Sequence, residues 1–402
     1  MANLLWGKVY YNSIFAGYLR EEPGNSISFK YDSNYLDTRQ PAIAHTLPLR
    51  EASYVSRDGL LPFFDNLVAE GWLEQAQKRL LGKRTLSRFE LLLAFGQDCA
   101  GAVSVLDPEP EKFSAALLDE HDPKEIALMT SRASLSGIQP KIMLIEKNGK
   151  LKPAKSNELS THIAKFRSHG HNNLLVNEYL TSKAFQALLP DDGIVDLSIV
   201  EIGGFSEPAL VIKRFDRVSG ARVHFEEFNQ LLDRKSIAKY DASHRDMADF
   251  IKNTNGCLPT EIYRLYGRIL AGILLGNTDM HLKNFAMFHR PEGLRLTPSY
   301  DQVSAVIYGY KTMALDIGEA SNLKISSLKP EHVITLGEEF GLSLGAIHML
   351  VQSLSRHLLA AKEAIFEAPH GSPTFKTQLI KLMESRWNKT FASIGQSLSK
   401  KR

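Results

Sequence analysis

From Gly7 to Leu36 apolar and polar side chains alternate. The stretches GKVYYNSIFAGYL and SISFKYDSNYL place Tyr, Phe, Ile and Val at period two, and turn-like REEPGN separates them, so a hairpin or meander of strands is predicted. Over 59–81, GLLPFFDNLVAEGWLEQAQKRLL, the apolar spacing changes to three and four, which predicts one amphipathic helix. LSRFELLLAFGQDCAGAVSVLD then reads as a helix stopped by Gly96, followed by a strand. The Pro- and charge-rich DPEPEKF (107–113) lacks apolar periodicity and marks a domain boundary.

Strand patterning returns in the middle of the chain. PKIMLIEKNGKLKPAK predicts a hairpin around Asn148–Gly149, because that dipeptide tolerates the left-handed conformations a tight hairpin turn requires. STHIAKF reads as a strand and LLVNEYLTSKAFQALL as a helix. DLSIVEIGGFSEPALVIKRFDR reads as a second hairpin turning at Gly203–Gly204. After about residue 225 every periodic segment is helical, from MADFIKNT and PTEIYRLYGRILAGILLG to TFKTQLIKLMESRWNKTFASI. No internal repeat or low-complexity segment interrupts this order. The expected class is α+β, with parts at 1–106, 107–225 (β-rich) and 226–402 (helical). A β-rich lobe followed by a helical lobe is the layout of kinase-like phosphotransferases, which hold nucleotide between lobes, although fold alone does not fix function.

Bulk composition changes this picture little. At 402 residues the chain is long enough for two or three domains, and 44% hydrophobic with 23% charged residues is ordinary for a folded protein. The net charge of +3 comes from 48 basic against 45 acidic residues scattered along the chain, so direct DNA binding is not expected. Cys99 and Cys257 lie far apart without a CxxC neighbour, which argues for a reducing compartment and against structural zinc. The N-terminus lacks a basic leader followed by a sustained apolar run, and the apolar run at 269–276 is too short to span a bilayer. A cytoplasmic protein without membrane contact is expected.

The chemistry concentrates in GNTDMHLKNF (276–285), where Asp279, His281, Lys283 and Asn284 follow the apolar run directly. Asp279 and Asn284 have D-x-x-x-x-N spacing, which in protein kinases joins the base that takes the acceptor proton to an amide that holds magnesium. In LTPSYDQVSA, Asp301 stands seventeen residues after Asn284, where a second magnesium ligand is expected. The plainer reading of Asp301 is a turn former or helix cap. A rival reading joins TDMH and Asp301 in a metallohydrolase cluster, with His244 and His289 available but showing no ligand spacing. His281 then suits a structural bond to the loop backbone, and Lys283 neutralisation of phosphate charge.

Phosphates need a rigidly held cation, and Lys165 in STHIAKF fits one, with Lys213 and Arg214 as competitors that Asp216 could pair. They also need backbone donors. TSRASLSGIQPKIML (130–144) offers Ser134, Leu135, Ser136 and Gly137 ahead of Lys141, in a small-residue loop able to form an anion nest, or an ordinary linker turn. HFEEFNQLLD (224–233) lies where the lobes would join, so the backbone near Glu226 could meet adenine and Phe228 pack on its ring. Phe228 serves equally well as plain core.

Read together, LPLREASY, LLPFFDNLVAEGW, FGQDCAGAV, SLSGIQPK, THIAKF, NEYLTSKAF, VIKRFDR, GNTDMHLKNF and LTPSYDQVSA resemble, in order, the HipA family of serine/threonine kinase toxins from toxin–antitoxin systems. The resemblance implies a two-lobed kinase-like fold with an extra N-terminal subdomain, and ATP and magnesium as cofactors. It also implies Asp279 as base, Asn284 and Asp301 as magnesium ligands, Lys165 on the ATP phosphates, and a 133–141 phosphate loop with Ser134 autophosphorylated. It further implies an aminoacyl-tRNA synthetase as target and a small helix-turn-helix, HipB-like antitoxin as partner, through which alone DNA would be reached. One departure stands out: the loop reads SLSG, with both Ser134 and Ser136, as in shorter members whose N-terminal subdomain is a separate chain. Phosphate on either serine adds about −1.5 to −2 charge, so autophosphorylation there is expected to repel ATP and lower activity. A non-catalytic co-repressor bound to the antitoxin is the alternative, and the retained Asp279, Asn284, Asp301 and Lys165 argue against it.

Overall fold

The structure, a computed structural model, describes residues 4–82, 85–109, 124–125, 127–128, 139–155, 158–168 and 170–400. Two compact units form: Met1–Ser168 with Val200–Ile237, and His169–Ile199 with Ala238–Arg402.

The first unit opens with an antiparallel sheet of β1 (Trp6–Tyr11), β2 (Ile14–Glu22), β3 (Ser26–Tyr31), β4 (Tyr54–Ser56) and β5 (Val103–Leu106), in the order β4-β3-β2-β1-β5. The period-two pattern is a meander, and its first stretch breaks into two strands at Asn12–Ser13. Both residues have positive φ (46° and 69°), the conformation that closes a two-residue hairpin on twisted strands. Val9, Leu19 and Phe29 point from this sheet into a core shared with Phe64 and Phe95. SNYL, expected to continue a strand, is a short helix, because the Asp32 side chain caps it by accepting from Asn34 N.

The segment 59–81 forms two helices, Pro62–Asp65 and Gly71–Leu80, rather than one. The interruption has a tertiary cause. Asp65 is buried and accepts from Arg88 Nε (2.5 Å) and Ser236 N (2.8 Å), while Asn66 Nδ2 donates to the carbonyl of Arg234 (2.8 Å). Gly71 then restarts the helix at φ 60°.

A second antiparallel sheet contains β6 (Lys141–Lys147), β7 (Lys150–Pro153) and β8 (His162–Lys165), joined by the strand Ala209–Lys213 in the order β7-β6-β8 and then Ala209–Lys213. The expected β6–β7 turn is present, with Asn148 and Gly149 at φ 51° and 70°. Strands at Leu197–Val200 and Ala209–Lys213 flank Gly203–Gly204.

Among its described residues the second unit is mainly helical and contains the antiparallel pair Ala286–Arg290 and Gly293–Leu296. The helix Leu174–Leu188 belongs to it, although the strand that precedes it in sequence, β8, belongs to the first unit. It packs along Leu344–Phe366 and against Thr260–Leu275. No helix among the described residues is long and apolar enough to cross a membrane.

Candidate active site

Thr260–Leu275 is buried over nearly its whole length, because ILAGILL has apolar residues on every face. It stops at Gly276, whose left-handed φ of 78° closes the C-terminus. A Cβ on Gly276 would lie 2.8 Å from Val306 Cγ1 and 3.0 Å from Leu382 Cδ2. Gly272, one turn earlier, leaves room for Met280 to fold back on the helix, since its own Cβ would lie 2.3 Å from Met280 Sδ. The helix thus delivers a loop that returns at once to its own surface.

Hydrogen bonds then fix each part of the loop. Asn277 Oδ1 accepts from Asp279 N (3.1 Å), and its Nδ2 donates to Gln302 Oε1 (3.2 Å). Thr278 Oγ1 donates to the carbonyl of Tyr310 (2.7 Å), and Leu282 N donates to the carbonyl of Lys239 (3.2 Å). Tyr300 Oη donates to the carbonyl of Lys283 (2.8 Å), tying in the segment that carries Asp301. Farther along that segment, buried Asn177 accepts from Ser304 N (2.9 Å) and donates to Ser304 O (3.2 Å).

Asp279 reaches solvent, yet protein surrounds it closely enough that dehydration pushes its carboxyl up to about 6. The charge of Asp301 adds to the rise, while a hydrogen bond from Tyr240 Oη (3.1 Å) and the cation of Lys239 oppose it. His281 moves the other way. Burial first, then Lys239, lowers its pKa to about 4, so the ring is neutral at pH 7. Its Nδ1 can then accept from Lys283 N (3.3 Å), the backbone role read for it in the sequence.

Asn284 Nδ2 donates to Asp301 Oδ2 (3.3 Å). The amide oxygen, Oδ1, is buried and has no hydrogen-bond partner among the described residues. Leaving a buried acceptor unsatisfied costs roughly 1–3 kcal/mol. A hard cation, which prefers carboxylate and amide oxygens, would satisfy it beside Asp301. Asp301 itself has a left-handed φ of 57°, a strained setting for a non-glycine residue that aims its carboxylate at the loop. By donor chemistry the pair fits magnesium.

The second unit therefore brings together Asp279, His281, Lys283, Asn284 and Asp301. In the first unit Lys141 and Lys165 are register partners on β6 and β8, both largely buried, so their side chains leave the same face of the sheet. Glu226 and Phe228 lie elsewhere in that unit. Glu226 Oε1 accepts from His45 N (2.7 Å), and Phe228 is fully buried. Ser134, Leu135, Ser136 and Gly137 lie outside the described residues.

Two competing readings lose support. Arg214 is buried in an ion network, Nη2 to Asp216 Oδ2 at 2.7 Å, with Arg217 Nη2 on Asp98 Oδ1 at 2.7 Å, so it serves the fold, while Lys213 points outward. Asp279, His281 and Asp301 form no three-ligand metal cluster among the described residues, and His244 directs Nδ1 to the carbonyl of Asp316 (2.8 Å). Asn277, Asn177, Lys239 and Tyr240 were not picked out from the sequence. Of these Asn277 and Asn177 had a local signal, their places inside GNTDMHLKNF and NEYLTSKAF.

Residues 7–106 match the HipA N-terminal domain, and residues 133–362 match the HipA-like C-terminal domain. The Sinorhizobium fredii protein Y4mE, named as a kinase, is 25% identical over 381 residues, covering 86% of this chain and 88% of that one. The Shewanella oneidensis serine/threonine-protein kinase toxin HipA is 29% identical over 261 residues, covering 57% of this chain and 59% of that protein. Among solved structures, a chain of the Shewanella oneidensis complex of HipA, HipB and operator DNA superposes with a TM-score of 0.71 at 21% identity, covering 96% of this chain and 99% of that one. The fold is accordingly the two-lobed, kinase-like α+β fold.

Proposed function

Because the chain belongs to the HipA family, whose C-terminal domain alone matches more than half of its length, we propose that it is an ATP- and magnesium-dependent serine/threonine protein kinase, the toxin of a toxin–antitoxin pair. One observation carries the reading: the buried Oδ1 of Asn284 beside Asp301, without a partner among the described residues, in the loop that holds Asp279 at a pKa of about 6. In this assignment the acceptor hydroxyl gives its proton to an Asp279 carboxylate oxygen as its own oxygen bonds to the γ-phosphorus of ATP, while the bond from that phosphorus to the β–γ bridging oxygen breaks and ADP leaves with the electron pair. Asn284 and Asp301 would hold magnesium, which when bound would neutralise phosphate charge. Lys165, Lys141 and the loop Ser134–Gly137 bind the phosphates, Lys283 adds charge, and the backbone near Glu226 and Phe228 meets adenine.

The same reading assigns 1–106 to the N-terminal subdomain, 107–225 to the β-rich lobe and 226–402 to the helical lobe. Ser134 or Ser136 is the autophosphorylation site that lowers activity, and an aminoacyl-tRNA synthetase is the target. The partner is a small helix-turn-helix antitoxin resembling the HipB of the Shewanella complex, which mediates any contact with DNA. Labelled ATP tests the core of the proposal. Phosphate should enter the wild-type protein only with Mg2+, and Asp301→Ala should take up none. Equal labelling in EDTA would remove the metal from the scheme.

A further inference from the structure

Tyr240 lies 39 residues before Asp279 and belongs to none of the motifs that point to phosphoryl transfer. It nevertheless makes the side-chain hydrogen bond to the carboxylate on which the proposed reaction depends, Oη to Oδ1 at 3.1 Å. Its ring also meets the His281 ring edge to face, with centroids 5.1 Å apart. The backbone beside it is clamped to the same loop, since the carbonyl of Lys239 accepts from Leu282 N (3.2 Å). A turn closed by Asp241 N on the carbonyl of Ala238 (3.0 Å) presents the tyrosine, and the Lys239 ammonium lies 5.5 Å from its ring. Nearly half of Tyr240 remains exposed (47%), so the ring borders the surface from which an acceptor would approach.

These contacts address a problem built into an aspartate base. The terminal torsion of Asp is broad and roughly two-fold, so a carboxylate held only by its Cβ turns freely between orientations. An acceptor hydroxyl needs one oxygen held still with a lone pair toward it. We propose that Tyr240 is a positioning residue for the base, its hydroxyl anchoring Oδ1 of Asp279 so that Oδ2 faces the acceptor, while its ring braces His281 and thereby the turn Leu282–Asn284. This deepens the assignment of Asp279 as base and rests on it.

The hydroxyl and the ring can be separated by substitution. Tyr240→Phe keeps the edge-to-face packing and removes only the anchor. In single-turnover self-phosphorylation with Mg-ATP, Y240F is expected to lower the maximal rate about tenfold, as loss of one charge-assisted hydrogen bond would. The ATP concentration for half-maximal rate and the melting temperature should match wild type. Tyr240→Ala should lower the rate further. A Y240F rate equal to wild type overturns the proposal. A faster rate would also overturn it, because the hydroxyl would then be blocking the base. So would a loss accompanied by weaker ATP use or a lower melting temperature, which would make the role merely structural. Asp279→Asn run alongside keeps the two assignments apart. If it transfers phosphate at the wild-type rate, the base assignment fails whatever Y240F does. If it is inactive and Y240F is normal, only the positioning role fails.

Discussion

For Asp279 as the proposed base two demands conflict: such a base should be partly dehydrated and near a proposed metal ligand, yet both conditions penalise its charge. The result is a pKa pushed up to about 6, first by dehydration and then by Asp301. Transfer should therefore fall as pH drops through about 6, and initial rates of phosphate uptake between pH 5 and 8 check this. An acid limb near the ordinary aspartate value of about 3.9 would contradict the environment described here. The sign for stability is opposite to that of a salt-bridged carboxylate. The folded pKa lies above the unfolded one, so the charged form costs stability above about pH 6, and the cost vanishes below about pH 4. Asp279→Asn should melt at or above wild type at pH 8, with the difference closing toward pH 4. Asn284→Ala should melt close to wild type, since it removes an unsatisfied buried oxygen together with the 3.3 Å bond from Nδ2 to Asp301, two losses of opposite sign. Its transfer rate should drop by at least about 10- to 100-fold, the loss that even outer-shell ligand partners produce. The spacing of Asp279, Asn284 and Asp301 was legible because these residues are local in sequence. Tyr240 and Asn177 were not, because no spacing rule reaches across the 39 residues from Tyr240 to Asp279 or the 127 from Asn177 to Ser304.

Among the elements, the Thr260–Leu275 helix and its end decide where the loop lies. Gly276→Ala places a Cβ against Val306 and Leu382 at a left-handed φ, so it should cost about 1–3 kcal/mol and reduce transfer as the loop shifts. Thermal melting and the labelled-ATP rate should fall together. In the other unit the Asp98, Asp216, Arg214 and Arg217 network binds the loop 98–101 to the strand end at 214–217. Burial alone would raise both carboxyl pKa values, but the two arginines outweigh it and hold Asp216 down at about 2 and Asp98 below its usual value. Arg214→Met should therefore destabilise by about 3–5 kcal/mol, because it leaves two buried carboxylates short of a cation. Element types followed from pattern wherever local chemistry and packing agreed, as at the Asn148–Gly149 hairpin. The single helix expected at 59–81 failed because periodicity carries no information about Asp65 and Asn66 bonding to residues 234–236.

At the scale of the molecule, family membership and the loop at 276–285 point to the same activity, although they rest on different observations. If the chain is a growth-arresting kinase, its induction in a host without an antitoxin should slow growth, and Asp279→Asn should restore it. Arrest that persists with Asp279→Asn would favour a binding role over catalysis. The most direct test is the intact mass of the purified protein before and after incubation with Mg-ATP, wild type beside Asp279→Asn. The prediction is a gain of one or two phosphates in the wild type alone, from a starting mass free of phosphate, mapping to Ser134 or Ser136. An equal gain in Asp279→Asn, or none in an initially unmodified wild type, would contradict Asp279 as the base of a phosphoryl-transfer site.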